Sequence, residues 1–479
     1  MFAAEEAIEW FDRAMDAAAA GGPAIRGQIA FGRAAASEQL GRFEHARADY
    51  EHALAEATEA HDEEREARAL AAIAHVLWLL DRYDEGQERL PVALERARAV
   101  GLADVEARLL YTAGTMRFGR GEFGESLGLH QRALEVAEAS GDREGQSLAH
   151  HGLCESHAFH GPFDEGLAHG LRADELLREL GQRSMVAHNG YMIGWTLWFL
   201  GRWDEGISAV QTSIDACQEI GNRRDEAFAL YCRSQIHLSA GHLDDAWSDA
   251  STAIEICREL GLLRGELIQL TTLADVCSEV GDLQGLTVNA VAAIHASDAI
   301  GGSFMRAPGF AYRGAAALAE GLTAEADGWT DTARSFDDVV LNVAMSRRAT
   351  ISGIELAGDA ARLRSAAEGI VQVVAPLSVH WGAWGSYAVA LAALLDGRHE
   401  EAMAHSDAAL DQISAGGERR LAWRVGRIAW RALLALDRPD EASRFREQAV
   451  ELVEDEAAHA SGRLRTSFLS RPDVAELLG

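Results

Sequence analysis

The chain contains no lysine: all 44 of its basic residues are arginine, set against 75 acidic residues for a formal net charge of −31. That deficit excludes two function classes. A phosphate-binding P-loop needs the lysine of its GK[ST] turn. Nucleic-acid binding needs a basic stripe that displaces counterions, and no window here concentrates arginine away from Asp and Glu. Cysteine is sparse and odd in number. Cys154, Cys217, Cys232, Cys257 and Cys277 show no CxxC spacing, which predicts reduced thiols in a reducing compartment. The opening Met1-Phe-Ala-Ala-Glu-Glu has acids where a signal peptide carries a basic head and an apolar core, so the expected location is cytoplasmic. The longest uncharged run, Gly369 to Leu395, contains Gln372, Pro376 and His380. It predicts the end of one helix, a turn at Pro376 and a buried helix from about Val379 to Leu395, rather than a membrane span. With 7 prolines in 479 residues and abundant Ala and Leu, the composition favours helix throughout.

What the sequence does contain is a 40-residue period. Gly41-Arg-Phe-Glu-His-Ala46 recurs as Asp81-Arg-Tyr-Asp-Glu-Gly86, Gly121-Glu-Phe-Gly-Glu-Ser126, Gly161-Pro-Phe-Asp-Glu-Gly166, Gly201-Arg-Trp-Asp-Glu-Gly206 and Gly241-His-Leu-Asp-Asp-Ala246, with weaker copies at Gly281 and Gly321. A second glycine series, at 101, 141, 181, 221, 261 and 301, falls midway, so the chain turns about every twenty residues. That spacing leaves one short helix per segment: helix A before each anchor, helix B after it. Small residues recur in both. Helix A carries Ala34, Ala74, Gly114, Cys154, Gly194, Ser234, Ala274 and Gly314; helix B carries Ala53, Ala93, Ala133, Ala173, Ser213, Ala253, Ala293 and Ala333. These positions are expected to be where A and B cross, since a bulky side chain there would force the pair apart. The anchor aromatics Phe43, Tyr83, Phe123, Phe163 and Trp203 are expected to plug the turn between A and B.

The pattern resembles tetratricopeptide repeats in a lengthened 40-residue form. The resemblance implies an all-α, right-handed superhelical solenoid of antiparallel helix pairs, about 11 pairs plus a terminal capping helix. The chain's end, Arg463-Leu-Arg-Thr-Ser-Phe-Leu-Ser-Arg-Pro-Asp-Val-Ala-Glu-Leu-Leu478, resembles the tail of the C-terminal repeat region of large bacterial signalling ATPases, nucleotide cyclases and transcriptional activators. In those proteins the repeats are the sensing or docking arm. Residues 1–340 form the regular part. Residues 341–479 form a degenerate part, with anchors at Gly358, Gly397 and Asp437 and with Ile351 and Ile370 where small residues belong, so a change of path is expected near Gly358. Residues Ala4 to Ala19 read as a B helix without its A helix, which points to a longer parent chain or to a face that meets a second subunit through Ile8 and Phe11.

In such a stack the A helices line the inner wall. The aromatic and polar residues expected there are Tyr111, His151, Tyr191 and Tyr231 on one register, His75, Glu155, Trp195 and Gln235 on another, and Arg68, Arg108 and His188 one turn nearer the helix start. Flat amphipathic rings beside hydrogen-bonding groups suit an extended peptide; the same rings also suit packing on the neighbouring A helix. The segment His150-His-Gly-Leu-Cys154-Glu-Ser-His157 places His150, Cys154 and His157 on one helix face, but Cys154 holds a crossing site, so core histidines are expected and no metal. Gly124-Glu-Ser126-Leu-Gly128 matches G-x-S-x-G without the strand that a nucleophile elbow requires. The expected function is therefore non-enzymatic, without cofactor: a cytoplasmic scaffold module binding a protein or peptide segment in its groove, with no nucleic acid or membrane partner. A peptide-responsive sensor that changes superhelical pitch is the alternative.

Overall fold

The computed structural model describes residues 2–18, 22–80, 82–300, 305–337, 340–416 and 418–479. Asp81 of the second anchor, Gly301 of the midway series and Ala19 of the first predicted helix lie outside the described residues. Among the described residues every regular element is helical. After α1 (Phe2–Ala17) come eleven A/B pairs: α2 (Pro23–Gln39) with α3 (Phe43–Glu59), α4 (Glu63–Leu79) with α5 (Tyr83–Val100), α6 (Ala103–Gly119) with α7 (Phe123–Ser140), and α8 (Arg143–His160) with α9 (Phe163–Glu179). Next are α10 (Arg183–Phe199) with α11 (Trp203–Ile220), α12 (Arg223–Ala240) with α13 (Leu243–Leu260), α14 (Leu263–Val280) with α15 (Leu283–Asp298), and α16 (Ala307–Ala319) with α17 (Thr323–Arg334). The last three pairs are α18 (Val340–Ala357) with α19 (Ala360–Gly369), α20 (Val379–Leu395) with α21 (His399–Ser414), and α22 (Ala422–Ala435) with α23 (Pro439–Ala458). Two short helices, α24 (Gly462–Leu469) and α25 (Pro472–Leu478), close the chain, so the predicted single cap is double. The architecture is an all-α helical-repeat solenoid.

Local chemistry explains the boundaries. Glycines of both series end helices at positive φ, for example Gly101 at 76° and Gly261 at 69°, a conformation that costs L-residues sterically. The anchor's Asp-Glu pair falls in the first turn of helix B, where carboxylates complement the helix dipole. Its arginine reaches forward to the same turn, as in Arg82–Glu85 (2.6 Å), Arg202–Glu205 (2.7 Å) and Arg438–Glu441 (2.6 Å). All sixteen small residues at the two crossing registers are buried. The reason is visible at Gly314, where an added Cβ would press on Thr330 Oγ1 at 3.2 Å and the Ala326 carbonyl at 3.3 Å in the partner B helix. The anchor aromatics do more than plug their own turn. Phe123 packs edge-on against Phe118 in its own A helix, but Phe163 stacks on Phe199 of the following one at 4.5 Å, tying one repeat to the next.

The chain divides into two compact units. The first comprises Met1–His157, Ala168–Asn189 and Ala216–Asn222; the second comprises Ala158–Leu167, Gly190–Asp215 and Arg223–Gly479. The predicted loss of regularity after 340 thus falls inside the second unit. In the first unit, ion pairs join residue i of one repeat to i+36 in the next: Arg68–Asp104 (2.7 Å), Arg108–Glu144, Arg143–Glu179 and Arg183–Glu219 (2.6 Å). In the second, Ile351 and Ile370 are fully buried despite occupying small-residue positions. α16 and α18 meet at the backbone instead: a Cβ on Gly353 would stand 2.6 Å from Ala315 Cα. α19 stops early, in a π turn (Ile370–Val374) and a 3-10 turn (Ala375–Leu377) before α20. A cavity of about 440 Å³ opens between these helices, lined by Thr330, Arg334, Thr350, Arg362 and Ser365 among others.

Candidate functional site

In the second unit the inner faces of α10, α12 and α14 hold the chain's own later segments. Trp195 packs on Phe159 (5.7 Å between centroids), Trp198 (4.7 Å) and Tyr231 (4.9 Å). Trp198 in turn meets the edge of His380 (4.8 Å) and Trp381 (6.0 Å), both on α20. Ser378, the N-cap of α20, donates its hydroxyl hydrogen to the Phe199 carbonyl. At the opposite end of α20's pair, the backbone of Gly416 lies directly against that of Gly201 in the fifth anchor turn.

Beside these rings runs a buried column of charge. Glu418 accepts a hydrogen bond from Ser239 Oγ at 2.9 Å, and that same oxygen accepts one from Trp198 Nε1 at 2.8 Å. Arg420 Nε donates to Glu418 at 3.0 Å, and its far nitrogen pairs with Asp275 (3.4 Å) and Glu279 (3.2 Å) on α14. Arg348 grips Asp275 from α18. Arg424 bridges Glu279 (2.6 Å) and Glu355 (3.3 Å), and Arg471 bridges Glu355 (3.4 Å) and Asp473 (2.7 Å). Trp423 Nε1 donates to Glu456 at 3.0 Å. Arg348, Arg420 and Arg424 also lie over the rings of Trp381, Trp384 and Trp423 at 5.6, 5.3 and 4.5 Å, the planar stacking that guanidinium allows and ammonium does not.

None of these charged side chains is more than 9% exposed. Four guanidiniums thus face six acids: Asp275, Glu279, Glu355, Glu418, Glu456 and Asp473. Burial, joined by the nearby Glu279, pushes the Glu456 carboxyl well above its ordinary range, and burial with Asp473 beside it pushes Glu355 up. For Glu418 burial acts in the same sense, but Arg420, His380 and Arg348 outweigh it and bring the carboxyl down to about 2. The upward shifts of Glu355 and Glu456 favour their neutral forms and so reduce the excess of acids over the four guanidiniums, the direction in which a buried cluster avoids an uncompensated ion. Burial lowers His380 to about 4, so the imidazole is neutral at pH 7.

In the first unit the inner-face groups are partly open. Glu38 lies 3.4 Å from His75 Nε2 and accepts a hydrogen bond from Tyr50 at 3.1 Å. Arg68 pairs with Glu64 (3.1 Å) and Asp104, and Arg108 pairs with Glu144. Side-chain exposures of 25% for His75, 40% for Arg68 and 45% for Arg108 leave all three reachable from solvent. Further along, Tyr111 contacts the His130 and His151 rings, and His151 bonds Asn189 Oδ1 at 3.0 Å and packs edge-on against His188 at 4.7 Å.

Of the eleven wall residues expected from sequence, these three alone have substantial exposure. Tyr111, His151, Glu155, His188, Tyr191, Trp195, Tyr231 and Gln235 are all buried, at 7% or less. Of the two arrangements the sequence left open for these rings, they take packing on the neighbouring A helix, for a geometric reason. A helices lie side by side closely enough that the position after one small residue meets the next A helix two or three positions before its own small residue: Trp195 meets Tyr231, and Gln235 donates its amide hydrogen to Thr272 at 2.8 Å. The rings therefore occupy the seam between neighbouring A helices.

Two further motifs are spent on packing. Ser126 lies buried inside α7, 3.0 Å from Ser156 Oγ. Cys154 is a buried cysteine, while His150 bonds His169 at 2.9 Å and His157 stacks on the same ring. The column, by contrast, escaped the repeat-based reading. Its signal was complementary spacing, Asp275 and Glu279 four apart against Arg420 and Arg424 four apart, in segments 145 residues away from each other.

No family model matches the chain, and no curated protein does. Among solved structures, the Cut9–Hcn1 hetero-tetramer of the APC/C aligns over 94% of this chain and 89% of its own, at 13% identity and a TM-score of 0.51. A Rap protein complexed with competence and sporulation factor aligns over 74% of this chain and 99% of its own, at 12% identity and a TM-score of 0.49. Yeast Tom70 aligns over 94% and 98%, at 10% identity and a TM-score of 0.36. The Cut9–Hcn1 likeness identifies the fold as a tetratricopeptide-type helical repeat and, at this identity, the fold alone. Among the described residues no helix is long and apolar enough to cross a membrane.

Proposed function

We propose that the chain is a non-catalytic interaction module of a bacterial signalling or regulatory system, one that holds a polypeptide segment of a partner against its A helices. One observation carries this reading. In the second unit the A-helix wall already takes polypeptide, its own, through ring contacts from His380 and Trp381 and through the pairing of Arg420 with Asp275 and Glu279. In the first unit the matching face keeps His75, Arg68 and Arg108 in contact with solvent. A partner segment bearing carboxylates exchanges for Asp104 and Glu144 on the two guanidiniums, and such exposed pairs cost little to trade. Stacked repeats hold these groups at fixed spacing, so a segment touching several units gains affinity without ordering the receptor.

Phage-displayed peptides selected on the full chain, then titrated calorimetrically, test the reading. Selected peptides rich in Asp or Glu are expected, binding at least tenfold more weakly to Arg68→Ala and Arg108→Ala and more weakly to His75→Ala. Peptides that bind all three variants as they bind the parent chain would remove this face from consideration.

A further inference from the structure

The sequence drew attention to His150, Cys154 and His157, but a different group of ligating side chains converges. His237 in the last turn of α12, His242 in the turn that follows and Asp245 in the first turn of α13 each offer one ligand atom, and these atoms all lie within 4.8 Å of one another. We propose that His237, His242 and Asp245 bind a first-row divalent cation, zinc foremost, at the sixth anchor turn.

Three observations support the site. In a tetrahedral zinc site with bonds of about 2.0–2.2 Å, ligand atoms stand roughly 3.3–3.6 Å apart. Closing from 4.8 Å takes small rotations of side chains that are only partly buried (His237, His242) or exposed (Asp245). All three ligands come from nine residues straddling one helix–turn–helix junction, so their backbone positions are fixed by the ends of α12 and α13. A second carboxylate stands behind the first imidazole: Asp249 Oδ2 is 4.0 Å from His237 Nε2 and is itself held by Arg233 through hydrogen bonds of 2.7 and 2.6 Å. Brought within hydrogen-bond reach of Nε2 by the same small rotation, such an outer carboxylate orients a histidine that ligates through its other nitrogen and raises its basicity. Two imidazole nitrogens and one carboxylate oxygen suit zinc and its neighbours, whereas calcium and magnesium favour sites built wholly from oxygen.

The ion's place in the fold indicates its role. The Asp244 N–H donates to the His459 carbonyl at 3.0 Å, the Ser461 N–H donates to Asp244 Oδ1 at 3.0 Å, and the His459 ring stacks on His242 at 4.3 Å. A cation at this turn therefore sits beside the seam that joins the sixth pair to the end of α23, and it stiffens that seam.

The test titrates chelator-treated full-length protein with zinc chloride, by calorimetry and by metal counting in native mass spectra. One zinc per chain at micromolar affinity or tighter is expected, with a rise in melting temperature, and magnesium chloride should produce neither. His237→Ala, His242→Ala and Asp245→Asn are each expected to weaken that site at least tenfold, and Asp249→Asn to weaken it about tenfold. His295→Ala, at an exposed histidine elsewhere, should leave binding unchanged. Asp245→Asn alters a single exposed carboxylate, so its loss of binding cannot be put down to misfolding, and circular dichroism checks the histidine variants. Zinc binding at unchanged affinity in the three ligand variants, or weak multisite binding alone, would overturn the proposal.

Discussion

Glu418 accepts the Ser239 hydroxyl hydrogen at 2.9 Å across 179 residues of chain, and both side chains are fully buried. The carboxylate thereby locks the short turn before α22 onto the inner face of α12 while neutralising Arg420 and, at 3.9 Å, facing Arg348. Removing one member of a buried ion cluster leaves the others desolvated and unpaired, which costs about 3–5 kcal/mol. Glu418→Ala should therefore destabilise the second unit by about that much in urea unfolding followed by tryptophan fluorescence. Ser239→Ala, which keeps every charge but takes a donor from Glu418 and the acceptor from Trp198 Nε1, should cost less, about 2 kcal/mol. Equal losses for the two variants would mean that the cluster's charge balance is not what holds these segments together.

Gly201 and Gly416 give a second, independent handle on the same docking. Both have positive φ, 72° and 109°, and a Cβ on Gly201 would fall onto the Gly416 backbone, with Gly416 Cα only 2.7 Å away. Backbone cannot move aside as a flexible side chain can. Gly201→Ala should therefore lose about 2 kcal/mol or more, the left-handed conformation alone accounting for 1–2. Hydrogen exchange should report where: amides of α20 and α21 should lose protection while those of α2 to α6 keep theirs. Uniform loss of protection, or none, would argue against a local contact of this kind.

How much of this was legible beforehand follows from what repeats and what does not. The crossing positions were readable because the same packing constraint acts every 40 residues, so Ala34 and Ala274 answer to one geometric demand. The start of α20 at Val379 was readable because a proline ends the preceding helix and the uncharged run after it is long enough for one buried helix. Which rings are covered was not. Trp195 and Tyr231 sit at equivalent registers to residues of every other repeat, and their burial depends on the seam between A helices and on later segments that obey no period. The column likewise depends on matches between single sites, Arg420 with Asp275 or Arg471 with Glu355, and a lone chain offers no signal for such pairings beyond their spacing.

Acid should weaken the fold through histidines buried without charge. The ring of His130 is wholly buried, wedged so that a Cβ on either Gly114 or Gly152 would strike it, and burial lowers its pKa to about 3. The unfolded chain takes up a proton near pH 6.5 that the folded chain refuses, so stability is complete above 6.5 and drains away as pH falls toward 3. At pH 5 the loss from this one residue is about 2 kcal/mol. His130→Leu should flatten the stability profile between pH 6.5 and 5 by that amount while leaving pH 7.5 stability equal or higher, because neither ring nitrogen has a hydrogen-bond partner among the described residues to lose. Parallel profiles for parent and variant would show that His130 is protonated in the native state.

Where the repeat omits its glycine, stability should be recoverable. His61 stands in the register of the midway series, 40 residues before Gly101, and adopts φ 55°; Asp437 fills the first anchor position and adopts φ 59°. Both are exposed, so neither conformation is repaid by side-chain burial. A left-handed L-residue costs about 1–2 kcal/mol, and glycine's greater freedom in the unfolded chain returns roughly 0.5–1 of any gain. His61→Gly and Asp437→Gly should each therefore stabilise by about 0.5–1 kcal/mol, and the double variant by nearly the sum, since these two turns belong to different units. Calorimetric melting at pH 7.5 measures this directly. Unchanged or lowered midpoints would mean that the imidazole and the carboxylate hold their turns by contacts worth as much as the strain they carry.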